Sequence, residues 1–230
     1  MKHDPQGPAV TTMMGIVHGA MRRDLTRARV VLSDEQYLTP ARCTALAEHL
    51  LWLMEFLHEH HDGEDTGLYP MVREKDSSLA PFLDAMDDEH QLIHRAMDDL
   101  ETAVRTWQQD STSAQGVAAA IDALEAVLNP HLEHEEREMM PLVSRTITQG
   151  QWHAWDQAAN IKSKSTRELA YSGHWLVDGA DPDDYDTVVH EVPAVPRFVL
   201  LHFLGGPYHR RRKAMWDGTP ADSVALATLS

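Results

Sequence analysis

Apolar residues in the first 148 positions fall into four stretches, each with the spacing of one helical face. In the first, Met14, His18, Met21, Leu25, Ala28 and Leu32 alternate steps of four and three. In the second, Thr39-Pro40 supplies an N-cap and a first-turn proline. Leu46, Leu50, Leu53, Leu57, His60 and Glu64 then keep the same rhythm. The third runs Leu79, Leu83, Met86, His90, Ile93, Met97, Leu100, Val104, Trp107. A polar stretch from Gln108 to Gly116 separates it from the fourth, Val117, Ile121, Leu124, Leu128, His131, Glu135. Residues so spaced share one stripe of a helix, and such stripes pack against neighbouring helices. No alternating strand pattern competes. The pattern predicts an all-α chain, an up-down four-helix bundle over 8–148 with a partly helical extension over 149–230.

Polar residues occupy stripe positions where apolar ones are expected. His18, His60, Glu64, His90, His131 and Glu135 all lie on the seams. An ionised carboxylate in a core is costly unless it is paired or metal-bound. One such residue would read as a hydrogen-bonded core group, but six on four converging stripes point to a metal site. Two segments also repeat: the interval from His60 to His131 is the interval from Glu64 to Glu135 and from Pro70 to Pro141. Each contains His-x-x-x-Glu, which puts an imidazole and a carboxylate on one helical face. That donor set, with no thiolate, suits iron, manganese or zinc.

These residues resemble the hemerythrins and the wider HHE cation-binding group. The segment Val17-His18-Gly-Ala-Met-Arg-Arg-Asp-Leu25 is similar to the family's first-helix histidine segment. His60-x-x-x-Glu64, Glu89-His90 and His131-x-x-x-Glu135 are similar to its second, third and fourth. The resemblance covers about residues 10 to 148. It implies two iron ions, oxo- or hydroxo-bridged, with Glu64 and Glu135 bridging and histidines capping each iron. It implies a small diatomic or peroxide ligand: oxygen, peroxide or nitric oxide, carried, sensed through a protein partner, or turned over in a redox reaction. Hemerythrins proper use two histidines from the third helix. His94, four residues after His90, is therefore expected as a seventh ligand, although the strict stripe passes through Ile93 and Met97.

His58, His61 and His134 flank the seams and are expected at the surface or behind the ligands. Pro130 should kink the fourth helix and free a carbonyl, and Gly63 and Gly67 should loosen the second. A ferritin-like centre would want Glu-x-x-His on two helices, and only Glu55-Phe-Leu-His58 supplies one. A zinc protease would want His-Glu-x-x-His, which fails at Asp62. A bundle that only binds a partner leaves the inward carboxylates unexplained.

In the extension, a helix is predicted over Gln151 to Leu169, anchored by Trp152 and Trp155. A loop is predicted over Asp178 to Tyr185, and a helical or buried segment over Phe198 to Leu204. The basic run Arg210-Arg-Arg-Lys213 suits docking on an acidic bundle. His153, His174, His190, His202 and His209 show no paired spacing. A net charge of -16 argues against nucleic acid or anionic membrane as a main partner. No run approaches the roughly 18 apolar residues of a membrane span. The opening residues form no apolar signal region, and the lone Cys43 suits a reducing cytoplasm.

Overall fold

The computed structural model describes residues 3–110 and 113–226, which are helical with no named strand among them. Helices α1 (Thr12–Leu32) and α2 (Pro40–Gly63) are joined by a short connection, and the Thr39 side chain caps α2 by accepting from the Arg42 N–H. A π-turn over Glu64–Leu68 leads into α3 (Tyr69–Lys75). Then come α4 (Ala80–Gln109) and α5 (Ala114–His134), a second π-turn over Glu135–Met139, and α6 (Met140–Thr146). The predicted stripes are the buried faces: Leu83, Met86, His90, Ile93, Met97, Leu100, Val104 and Trp107 are the buried residues of α4. Helix α4 packs on α5 and α2, and α5 on α1.

Pro130 sits inside α5, which continues to His134; the helical irregularity falls one turn later, in the π-turn at Glu135. Gly63 and Gly67 likewise do not break the helix but border or lie in its counterpart. Gly67 has a packing reason. A Cβ there would meet Trp155 Cδ1 at 2.7 Å, and the Trp155 indole N–H donates to the Gly63 carbonyl at 2.8 Å.

The extension begins with α7 (Gln149–Asp156), which carries Trp152 and Trp155 to the lower end of the bundle. A Thr148/Gln151 capping box starts it, and the single helix expected to Leu169 is interrupted before α8 (Thr166–Leu176). Part of the expected loop is helical: Asp181 caps α9 (Pro182–His190), with Pro182 in its first turn. Helix α10 (Ala194–Phe203) is helical as expected but exposes Val195, Phe198, Val199 and Phe203. Helix α11 (Gly206–Trp216) follows and packs on α2 and α8, while α8 packs on α1. Of the basic run, Arg211 docks on the bundle at Glu48, while Arg212 pairs within the extension, with Asp178 and Asp222.

This docking is made through buried charge. Asp24 of α1 accepts from Arg23 Nε at 2.8 Å, His49 Nε2 of α2 at 2.6 Å and the Trp175 indole of α8 at 2.9 Å. Asp178 accepts from Arg27, Tyr208 and Arg212. Burial alone would push the Asp24 carboxyl up, but Arg23 and His49 hold it well below the usual carboxylate range.

Candidate metal centre

Two apolar clusters bracket a polar layer. One contains Met21, Ile93 and Leu128, and the other Met14, Met86, Tyr69 and Met139. His18, His90 and His131 fall between these levels on their helices, so the layer is walled by hydrocarbon above and below. Within it, His18, His60 and Glu135 form one group and His61, His90 and His131 another; ligand atoms within each lie within 4.8 Å of one another. All six side chains are buried.

The rings in each group converge on their Nε2 atoms. His18 and His60 approach at 3.3 Å, and His90 and His131 at 3.2 Å. Such separations match an edge of a coordination shell whose bonds are about 2.1 Å. The outer nitrogens explain which way the inner ones point. His18 Nδ1–H donates to Glu136 at 2.8 Å, His90 Nδ1–H to Asp65 at 2.7 Å, and His131 Nδ1–H to Glu89 at 2.8 Å. A neutral imidazole with its proton on Nδ1 presents an Nε2 lone pair inward, and the carboxylate behind it raises its basicity.

Glu64 and Glu135 span the groups. Glu64 Oε1 lies 3.4 Å from His60 Nε2 and its Oε2 3.7 Å from His90 Nε2. Glu135 Oε2 lies 3.3 Å from His18 and 3.9 Å from His131. All four carboxylate oxygens are shielded from solvent and without a hydrogen-bond partner, as are both ring nitrogens of His61. Six unmatched donor atoms in a dry layer are what the chain would carry if cations completed it.

The electrostatics agree. Burial, reinforced by the Glu135 charge, pushes Glu64 well above the usual carboxylate range. Burial and the neighbouring His18 bring His60 down to about 3, and burial with His90 keeps His61 well below its ordinary value. Burial opposes charge on His18 too, yet the Glu135 and Glu136 carboxylates beside it raise it. Imidazoles held neutral at His60 and His61, beside a Glu64 carboxyl whose charge no neighbour offsets, favour a divalent cation.

His18, His60, Glu64, His90, His131 and Glu135 of the expected set thus lie together. His94 does not join either group; it lies parallel to His61 at a centroid distance of 5.8 Å. His61, expected to flank the seam, lies wholly buried against His90 instead. Its signal was its adjacency to His60: successive helical residues point about 100° apart, so a helix between two neighbours can aim one ring at each. Tyr69 was also missed. Its ring stacks on His90, its hydroxyl is buried without a partner, and burial with the charges of Glu135 and Glu64 raises its pKa well above that of ordinary tyrosine. It therefore stays a hydrogen-bond donor.

Together the helical fold and this layer define a bundle protein whose histidine and carboxylate groups could hold metal cations. The model of the hemerythrin HHE cation-binding domain matches residues 2–143, and the chain belongs to that family. No curated protein and no solved structure matches it. No helix among the described residues is long and apolar enough to cross a membrane.

Proposed function

We propose that this protein is a non-haem di-iron protein that binds or reacts with oxygen or a related small oxidant, peroxide or nitric oxide, inside an up-down four-helix bundle. The observation that carries the reading is the pair Glu64 and Glu135: two buried carboxylates, each reaching a histidine of both groups, with every oxygen unsatisfied. Residues His18, His60 and Glu135 would hold one iron and His61, His90 and His131 the other, with Glu64 and Glu135 shared. Iron bound there would supply one-electron redox chemistry and an exchangeable position for a small ligand.

The chain's own groups do the rest. Glu136, Asp65 and Glu89 fix the ring tautomers, the apolar clusters exclude water, and Tyr69 offers one hydroxyl proton toward the carboxylate layer. Residues 8–148 carry the ligands; 149–230 cover the α1–α2 side and the Gly67 turn and contribute none.

Metal analysis with optical spectra recorded anaerobically, then with oxygen, peroxide and nitric oxide, tests the reading. About two irons per chain and a charge-transfer absorption that responds to these ligands support it. Recovery of the starting spectrum on removing oxygen distinguishes carriage from turnover. A single zinc per chain with no iron absorption would overturn it.

A further inference from the structure

We propose that His58 and His94 are the inner steps of a route by which a divalent cation reaches the centre from a surface groove along α2 and α4. The inference rests on the dimetal reading above and adds a path to it. The groove has a volume of about 750 Å³; Glu48, Glu55, Glu59, Asp62 and Glu101 line it together with Arg105 and Arg211, and His58 stands on its wall. Lys164 pairs with Glu59, Arg105 with Glu101 and Arg211 with Glu48. Glu55 and Asp62 form no ion pair among the described residues, so the groove keeps uncompensated negative charge. A concave surface with an excess of one sign concentrates counter-ions.

Carboxylates alone would be a solvated face, and what lies behind them makes the difference. His58 Nε2 is 3.8 Å from Glu101 Oε1. Its ring meets His94 edge to face, with centroids 5.1 Å apart. His94 in turn lies within 10° of parallel to His61 at 5.8 Å. The His94 Nε2 atom is shielded and has no hydrogen-bond partner, and His61 is fully buried with both nitrogens unmatched. Three imidazoles therefore run in continuous ring contact from the groove to the group formed by His61, His90 and His131.

A cation crossing an apolar layer unaided would lose its hydration shell without replacement. Passed from one imidazole to the next, it exchanges water for nitrogen in single steps. His94 then has a role that fits its position outside both ligand groups. A second, smaller groove of 220 Å³ reaches His131, but its walls are Leu92, Ala126, Val127 and Pro130. Its one carboxylate, Glu89, is already bonded to His131 and His134. That surface offers a cation little.

The test is anaerobic stopped-flow uptake of cobalt(II) by the metal-free full-length protein, whose absorption reports both rate and final coordination. His94→Leu, His58→Leu and the pair Glu55→Gln/Asp62→Asn should each slow uptake by about tenfold, the lower range for charge-focused entry. Final cobalt content and spectrum should match the unsubstituted protein, while Glu138→Gln on another face should change nothing. His94→Gln, with circular dichroism, stands in if the leucine variant misfolds. Unchanged uptake rates with full loading overturn the route alone. Loss of bound cobalt at equilibrium in His94→Leu also overturns it, because His94 would then be a resident ligand. If the unsubstituted protein takes up no cobalt at the centre, the dimetal reading itself fails.

Discussion

The His61 and His90 rings, from different helices, lie 13° from parallel with their centroids 4.1 Å apart. Both His61 nitrogens are buried and unmatched, and burial with the charge of His90 holds that ring well below its ordinary pKa, so a cation would complete it. His61→Leu is therefore expected to reduce metal content from about two per chain to about one. Metal analysis alongside His58→Leu checks it. Equal content in the two variants would remove His61 from the ligand set.

Glu89 holds two histidines, His131 at 2.8 Å and His134 at 2.9 Å. Burial opposes its ionisation, but these hydrogen bonds keep it below its ordinary value, so it remains a charged acceptor. Glu89→Ala should lower metal affinity by about tenfold to a hundredfold, the usual effect of freeing a ligand imidazole. Competition with a chelator measures this, and Glu133→Ala, whose carboxylate pairs with Arg137 and with no histidine, is the control.

Tyr69→Phe removes a buried donor without changing shape. If the hydroxyl serves a ligand held in the carboxylate layer, azide should bind the loaded protein about fivefold more weakly, the value of one hydrogen bond near 1 kcal/mol. Metal content should stay the same. An azide titration with unchanged affinity would leave Tyr69 a packing residue only.

Asp24 gives a prediction about acid stability. Its carboxyl is held low in the folded chain, so it contributes stability above the unfolded value of about 4 and loses it as pH falls below that value. Asp178 behaves likewise: burial works against its charge, but Arg27 and Arg23 outweigh it. Urea midpoints should therefore fall below pH 4. Asp24→Asn should flatten that fall and cost about 3 kcal/mol at neutral pH, as breaking a buried pair does. A variant with the parent's midpoint at both pH values would show that this network does not hold the extension.

The helical stripes were legible because each repeats over several turns, and His18, His60, Glu64, His90, His131 and Glu135 stood out as polar breaks in them. His61 was hidden for two reasons. It lies one residue off its stripe, and the repeat that singled out His60 offers Leu132 at the matching place. Asp65, Glu89 and Glu136 each adjoin a residue already singled out in the sequence, but charged neighbours are common on helices and carry little signal alone. The helical start at Pro182 was missed because Asp-Pro reads equally as a turn and as a cap with a first-turn proline. The Asp24–His49–Trp175 contact joins residues remote in the chain, and no local pattern announces it.

The two π-turns also limit how the chain can change length. In each, the N–H five residues on returns to the glutamate carbonyl, Tyr69 to Glu64 and Met140 to Glu135, where an α-helix would use the fourth. Each wide turn therefore behaves as one added residue inside an otherwise regular helix. Deleting Thr66 would let the segment relax to α geometry at little local cost. Tyr69 and Val72 would keep their buried faces, whereas tightening the turn to α geometry with all its residues retained would rotate everything downstream by about 100° relative to the glutamate and swing both off. The reading frame of the helix, and not only the identity of its ligands, is part of the site: sequences able to build this centre must keep five steps with a wide turn, or four without one, between each carboxylate and the residue that walls it.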